Sequence, residues 1–324
     1  MTENHENTGA RSPQVSVIMA AYNAGATIER AIRSVQAQTL ADWELIVIDD
    51  GSTDVTAAII DRYGQEDRRI RAVHQPNAGI SAVRRRGVEL ARGEYVIHFD
   101  SDDYAEPGML ADMLAEARAG GADVTVAWFF EDFYGGRVAT RPQNVPSESA
   151  QEVVRGLFDG TLHGALWNKL IKADAYRRFG VDFSEGLWIG EDMLAVMKMA
   201  RGGATFRFME KAYYHYCYNN PASLTTAPGM ASYLRRKQWI AACEKYAGEE
   251  FAYAIDSRKA NAVFFALIHG LCDRREFYSY APRGLSRFRG LLGSRRYLPG
   301  MWLAGLGMFG AGRLWCRMIK RLAR

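Results

Sequence analysis

Gly93-Glu94-Tyr95-Val96-Ile97-His98-Phe99-Asp100-Ser101-Asp102-Asp103 is the stretch from which the fold becomes readable. Residues 94–99 are apolar and β-rich, the pattern of a buried strand, and they empty into three carboxylates. Asp100 and Asp102 stand two apart in an extended segment, so their side chains lie on one side and can share a ligand. Like charges crowded at a strand end call for a cation, and carboxylate oxygens suit a hard ion such as Mg2+ or Mn2+. Taken alone, Asp-x-Asp is a loose motif that reads first as a solvated acidic turn. Its neighbours decide the matter.

Working outward, Val15 to Ala20 is a strand pattern ending in the turn Ala21-Tyr22-Asn23-Ala24-Gly25, and Ile28, Ala31, Ile32 and Val35 mark a helix entered at Thr27 as N-cap and running to about Gln38. Glu44 to Ile48 is a second strand; it empties into Asp49-Asp50-Gly51-Ser52-Thr53-Asp54 before a second helix, which Asp54 caps. Arg69 to Val73, Glu94 to Phe99 and Ala122 to Trp128 read as further strands, and Ser81 to Ala91 and Pro107 to Arg118 as helices. Alternating units of this length predict an α/β fold with a parallel, doubly wound sheet, whose ligands bind beyond the carboxyl ends of the strands. The polar clusters Tyr22-Asn23, Asp49-Asp50 and Asp100 to Asp103 all fall at such ends and should line one crevice, with Arg84 behind them and Arg85 and Arg86 as solvated helix residues. No G-x-G-x-x-G follows the first strand and no G-x-x-x-x-G-K-[ST] occurs, which excludes the dinucleotide and P-loop readings.

Bulk properties agree with a folded protein. The chain has 324 residues, enough for a large core, and a net charge of only +4, which gives no general attraction to nucleic acid. The charge is unevenly placed, because no Asp or Glu follows Glu276 while Arg and Lys recur to the end. Cys217, Cys243, Cys272 and Cys316 are scattered, without a C-x-x-C pair, so neither zinc nor a disulfide framework is expected and a reducing compartment fits. Residues 1–13 read as a disordered polar leader, not a signal peptide.

The ordered series resembles the family 2 glycosyltransferases of the GT-A fold, especially bacterial members that build capsule, exopolysaccharide and O-antigen. It runs through Val15 to Asn23, Gln38-Thr39, Glu44 to Asp54, Asn77 to Arg84, Asp100 to Asp103, Trp167-Asn168-Lys169-Leu170, Gly190-Glu191-Asp192, Tyr214-His215-Tyr216 and Asn220-Pro221-Ala222-Ser223. It covers residues 14–226, a donor half at 14–125 and an acceptor half at 126–226, followed by a helical C-terminal extension at 227–324. The chain departs from the pattern at Ala21, where a turn residue such as Pro is usual, and at Cys217-Tyr218, where an Arg is common.

The resemblance implies an inverting, metal-dependent transfer from a UDP-sugar to a hydroxyl of a growing surface glycan, on a lipid carrier at the cytoplasmic membrane face. It implies donor binding by Ala20, Tyr22, Asp50, Arg84, Asp100, Ser101 and Asp102. Within that set Asp50 accepts the uracil N3 hydrogen, Tyr22 stacks on the base, and Arg84 pairs with uracil or phosphate. Mn2+ or Mg2+ is expected on Asp102 with Asp100, Asp103 and His215, although a lone His in an apolar strand also reads as a satisfied core residue. Asp192 is the expected general base. Glu191 and Asp192 open an amphipathic helix, whose dipole keeps a carboxylate ionised, after a Gly-rich entry that lets substrate approach. Glu191 is expected on an acceptor hydroxyl, and Trp167, Asn168 and Lys169, placed before a helical stretch, as an acceptor wall; Trp167 reads almost as well as core.

Two rivals remain: a sugar nucleotidyltransferase, which needs a basic phosphate loop absent from Ala21 to Ala26, and a non-catalytic nucleotide-sugar-binding subunit. In the extension, Tyr297 to Gly312 is uncharged, Gly-rich and aromatic between basic flanks, and too short to span a bilayer. It reads as an interfacial segment on anionic lipid or as a terminal helix packed on its own domain.

Overall fold

A computed structural model describes residues 12–218, 229–281 and 296–322; the Asn220 to Ser223 match, Arg295, Arg324 and the leader to residue 11 lie outside the described residues. Four strands, β1 (Val15–Ala21), β2 (Trp43–Asp49), β3 (Ile70–His74) and β4 (Tyr95–Asp100), lie parallel in the spatial order β3-β2-β1-β4. Helices α1 (Ile28–Gln36), α2 (Thr56–Glu66) and α3 (Ile80–Leu90) connect them. Side chains alternate across the sheet: Val15, Val17 and Met19 pack with Ile28, Ala31 and Ile32 of α1, while Ile18, Ile46 and Ile48 pack on the other face with Val83 of α3. Both faces are covered, which is why these strands read as continuous apolar runs. Gly87 lets α3 settle on β1, because a Cβ there would collide with the Ile18 side chain.

Local capping departs from expectation. Thr27 stands at the N-cap of α1, but its hydroxyl donates back to the Ala24 carbonyl at 3.3 Å. Val55 is the N-cap of α2; Asp54, one residue earlier, accepts from Thr56 N and from Gly25 N at 3.0 Å each, tying the β1–α1 turn to the β2–α2 turn.

Beyond β4 the elements are β5 (Tyr104–Ala105), α4 (Met109–Gly120), β6 (Val124–Asp132), β7 (Val138–Arg141), α5 (Ala150–Asp159), β8 (Lys169–Lys172), α6 (Ala173–Arg178), α7 (Glu191–Arg201) and β9 (Phe206–Cys217). The fifth expected strand, now β6, does not pair with β4. Four-residue β8 inserts between them, antiparallel to both, so the sheet is mixed although its long ladders are parallel. Trp167-Asn168-Lys169 therefore lead into a strand and not a helix, a correction that follows from β8 being too short to show a two-residue period.

The extension comprises α8 (Met230–Ala247), a 3-10 turn at Glu249–Phe251, α9 (Ala252–His269), α10 (Arg274–Tyr280), α11 (Leu298–Gly305) and α12 (Phe309–Leu322). Its apolar faces join those of α5, α7 and the sheet in one cluster containing Val153, Met197, Ile240, Val263, Phe277 and Met301. Helix α7 is wrapped from both sides, so every residue from Met193 to Ala200 is buried.

Candidate active site

The parallel strands end in a row, because Ala21 pairs with Asp49, Asp49 with His74, and Ala20 with Asp100. At the outer end Asp49 accepts from Ser52 N, three residues on, at 2.9 Å and lies 3.1 Å from His74 Nδ1. Asp50 is buried and fully engaged: Oδ1 accepts from Gln75 Nε2 at 2.8 Å and Ala78 N at 2.9 Å, and Oδ2 from Gly79 N at 2.8 Å. Asp50, expected on uracil, here braces the loop that enters α3. Tyr22, by contrast, is 52% exposed at the crevice rim, just before Asn23 with its positive φ of 48°.

The three carboxylates after β4 have different surroundings. Asp100 is partly exposed; burial pushes its carboxyl up to about 7, helped by the charges of Asp102, Asp192 and Glu191 and opposed by Arg84. Its amide donates to Tyr214 Oη at 3.0 Å. Asp102 is half-buried, and its carbonyl accepts from Arg30, whose guanidinium lies 4.8 Å over the Tyr104 ring and reaches Cys217 Sγ at 3.4 Å. Ser101 is buried, and Ala20 half-buried beside Asp100. Asp103 is buried as well: Oδ1 accepts from Cys217 N at 2.8 Å, Oδ2 has no partner, and burial raises its carboxyl well above the usual range. Through Oδ1, Asp103 braces β9, while its second oxygen stays unengaged.

His215 is engaged on both sides of its ring. Nδ1 lies 3.0 Å from Asp132 Oδ1 and Nε2 3.1 Å from Glu106 Oε1, while the ring stacks on Tyr104 at 4.2 Å and Phe130 at 4.6 Å. With both nitrogens engaged, it is a satisfied core residue. Among the described residues no group of three or more His, Cys, Asp or Glu is arranged to hold an ion.

Arg84 and Glu191, expected on opposite substrates, hold each other. Arg84 Nε donates to Glu191 Oε1 at 2.7 Å and Nη2 lies 3.9 Å from Asp100 Oδ1, with both Arg84 and Glu191 buried. Burial and the Asp192 charge raise the Glu191 carboxyl, with Arg84 opposing. This bridge locks α3 to the first turn of α7. Asp192, next in line, is half-buried and accepts from Met193 N at 2.7 Å. Gly190 caps α7 with φ 72°, and its missing Cβ makes room for the Trp239 ring of α8 and not for a substrate. Arg85 is not simply solvated, since it donates to the carbonyls of Asp182 at 3.0 Å and Phe183 at 3.1 Å.

The expected acceptor wall is interior. Trp167 is buried and stacks on Tyr214 at 4.5 Å and Tyr216 at 5.6 Å. Asn168 donates to the Ala127 carbonyl at 2.9 Å, and Lys169 Nζ donates to the carbonyls of His163 and Ala165 at 2.7 Å each. Burial pulls the Lys169 ammonium down to about 7, with Asp192 opposing.

Residues 16–180 match the family model described as glycosyl transferase family 2. The chain belongs to that family. It is 34% identical over 164 residues to the putative glycosyltransferase EpsH of Bacillus subtilis (strain 168), a match spanning 50% of this chain and 47% of EpsH. It is 29% identical over 221 residues to the uncharacterized glycosyltransferase EpsJ of the same organism, spanning 67% of this chain and 64% of EpsJ. The match thus covers less than two thirds of either relative. The fold is that of S. aureus TarS 1-349, solved in complex with UDP-GlcNAc, at a TM-score of 0.62 and 20% identity over 95% of this chain and 92% of that one. The chain therefore carries a family 2 glycosyl transferase domain with the GT-A fold.

Two further residues of this family 2 chain stand at the crevice without a motif to mark them. Arg30, on the outward side of α1, supplies a cation beside Asp102 and Cys217, near the point where the family's usual Arg is missing. Trp188, in the loop before α7, is 39% exposed and lies against Gly79, with the Arg235 guanidinium 4.8 Å over its ring. Its flanking glycines, Gly186 and Gly190, both at positive φ, were the available signal.

Proposed function

We propose that the enzyme transfers a sugar, with inversion, from a UDP-sugar to a hydroxyl of a bacterial surface glycan carried on lipid at the inner face of the cytoplasmic membrane. The observation that carries this reading is the convergence of Asp100 and Asp102 at the end of β4 with Asp192 at the start of α7, two segments tied by Arg84, which lies 3.9 Å from Asp100 and 2.7 Å from Glu191 beside Asp192. TarS, of the same fold, is solved with UDP-GlcNAc, which supports a uridine donor.

The donor set fits a hard divalent ion. Two carboxylates offer oxygens, and Mg2+ or Mn2+ commonly takes one or two protein carboxylates and completes its shell with substrate phosphates and water. Asp100 and Asp102 would hold it, and it would supply charge neutralisation on the diphosphate. Tyr22 stacks on the base, and Trp188 offers a face to a sugar ring. Asp192 takes the proton of the acceptor hydroxyl as that oxygen bonds to the anomeric carbon. The bond from that carbon to the diphosphate breaks on the opposite side, and UDP departs with the electron pair. Arg84 and Glu191 keep donor half and base helix in register.

The test is thermal stabilisation by UDP and by GDP, with and without Mn2+, on wild type and Asp102→Asn, followed by UDP release from a panel of UDP-sugars. A ligand at a hundred times its Kd stabilises by about 2.7 kcal/mol, a shift of about 5 °C for a chain of this size. Stabilisation by UDP with Mn2+, lost in Asp102→Asn, is expected, as is about 10²–10⁴-fold slower turnover in Asp192→Asn with the UDP shift intact. No response to either nucleotide would refute the donor assignment.

A further inference from the structure

We infer that the C-terminal helical hairpin is a docking surface for an anionic lipid bilayer, with a headgroup phosphate seated between α9 and α12. Among the described residues no helix is long and apolar enough to cross a membrane, so contact would be at the surface. Helix α12 buries one stripe, Phe309, Gly312 and Cys316, against α11 and α9. Its opposite stripe, Leu314, Arg317, Met318 and Arg321, follows i, i+3, i+4, i+7 spacing and is wholly exposed. A solvated face has no use for Leu314 at 71% exposure. The turn joining the two helices adds Leu306 at 62% and Met308 at 48%, with Trp302 one helical turn before. Apolar and aromatic side chains interleaved with Arg are what a surface resting at the headgroup boundary presents.

The second observation is a recess of about 300 Å³ lined by Ile268, His269, Arg317, Lys320 and Arg321. It opens where α9 ends at Gly270, and Arg313 Nη2 lies 3.5 Å from the Gly270 carbonyl with its Nε buried and unpartnered. None of Arg317, Lys320 and Arg321 has a carboxylate partner among the described residues, and no acidic residue follows Glu276 in the chain. Unopposed cations around a concavity recognise phosphate, and the apolar tip on the same hairpin specifies phosphate at a bilayer rather than in solution. The surface deepens the proposed transferase reading, on which it rests for its purpose, by placing the enzyme where a lipid-linked acceptor lies.

The test is co-sedimentation of the full chain with vesicles of phosphatidylcholine alone and of phosphatidylcholine mixed with phosphatidylglycerol, across a salt series. Wild type is expected to sediment with the mixed vesicles only and to be released as salt rises. Each surface cation contributes about a fivefold change in partitioning, so Arg317→Gln with Arg321→Gln should weaken binding about 25-fold. Leu306→Ser with Met308→Ser should weaken it without changing the salt slope. UDP-induced stabilisation, read in parallel, verifies that both variants fold. Wild type left in the supernatant with mixed vesicles at low salt overturns the inference, as does unchanged binding by the folded Gln variant. Arg317-dependent stabilisation by inorganic phosphate without vesicle binding also overturns it, assigning the recess to a free anion. Vesicle binding without any UDP response refutes the transferase reading and leaves the docking surface standing.

Discussion

Replacing Glu191 with Ala separates the ion-pair role seen in the structure from the acceptor-binding role expected from sequence. At 2.7 Å the Arg84–Glu191 attraction is about 6 kcal/mol gross for an effective dielectric of about 20, and the 3.9 Å Arg84–Asp100 pair about 4 kcal/mol. Desolvation offsets much of both. Removing one partner of a buried pair costs about 3–5 kcal/mol, and Asp100 still faces Arg84, so the low end applies, about 3 kcal/mol. For a chain of this length that lowers the thermal midpoint by about 6 °C. Adding Arg84→Met should recover about 2 kcal/mol, because a buried pair replaced by apolar groups is often nearly neutral. Scanning calorimetry on the four members of this cycle gives the coupling directly. An unchanged midpoint in Glu191→Ala, with only the acceptor KM raised, would refute the interlock and restore Glu191 to the acceptor.

Two further outcomes follow from named contacts. Gly190→Ala is expected to destabilise by about 2–4 kcal/mol, since it meets both a positive φ of 72° and the Trp239 ring; urea titration should show Trp239→Ala relieving the steric part and leaving the backbone part. Acid stability depends on carboxyls held low in the fold: Asp67, kept at about 2 by hydrogen bonds from Arg69, and Glu44, lowered by Ser16 and Arg92 against the cost of burial. Groups with depressed folded values stabilise above their unfolded values near 4, and that contribution is lost as pH falls through the folded values toward about 2. With Arg69 partly exposed, Asp67 accounts for about 1 kcal/mol. Glu44→Ala should cost about 2–3 kcal/mol at pH 7, where Ser16 and the Arg92 amide lose an acceptor, and should lessen the acid slope in urea titrations.

How far the sequence reaches depends on burial geometry. Strands β1, β2 and β4 were legible because each is covered on both faces and ends in a polar cluster, so the crevice followed from strand direction alone. Strand β8 was not, because a four-residue strand carries no period, and its Lys169 is buried through three local hydrogen bonds that composition does not announce. The carboxylates at the end of β4 are legible as a group, but the division between half-buried Asp102 and buried Asp103 depends on β9 crossing behind them. The partners of His215, Asp132 and Glu106, lie 83 and 109 residues away in sequence. Arg84 and Glu191 were both found, at 107 residues' separation, and only their meeting was invisible.

That separation bears on how donor and acceptor specificity are divided. The family match ends at residue 180, and the base helix begins at Glu191. The intervening loop, with Trp188, is shaped by the extension: Trp239 fills the space over Gly190, Arg235 covers Trp188, and Tyr246 Oη reaches Glu185 Oε1 at 3.2 Å. Lys198 of α7 holds the same Glu185 at 2.5 Å, so the loop is clamped between the base helix and α8. The proposed donor residues Tyr22, Asp100 and Asp102 thus lie within the family match, whereas the loop that carries Trp188 takes its shape from helices outside it. A substitution in α8 should therefore change acceptor choice while leaving uridine recognition alone, since α8 packs on the loop that carries Trp188 and the proposed donor residues stand at the ends of β1 and β4.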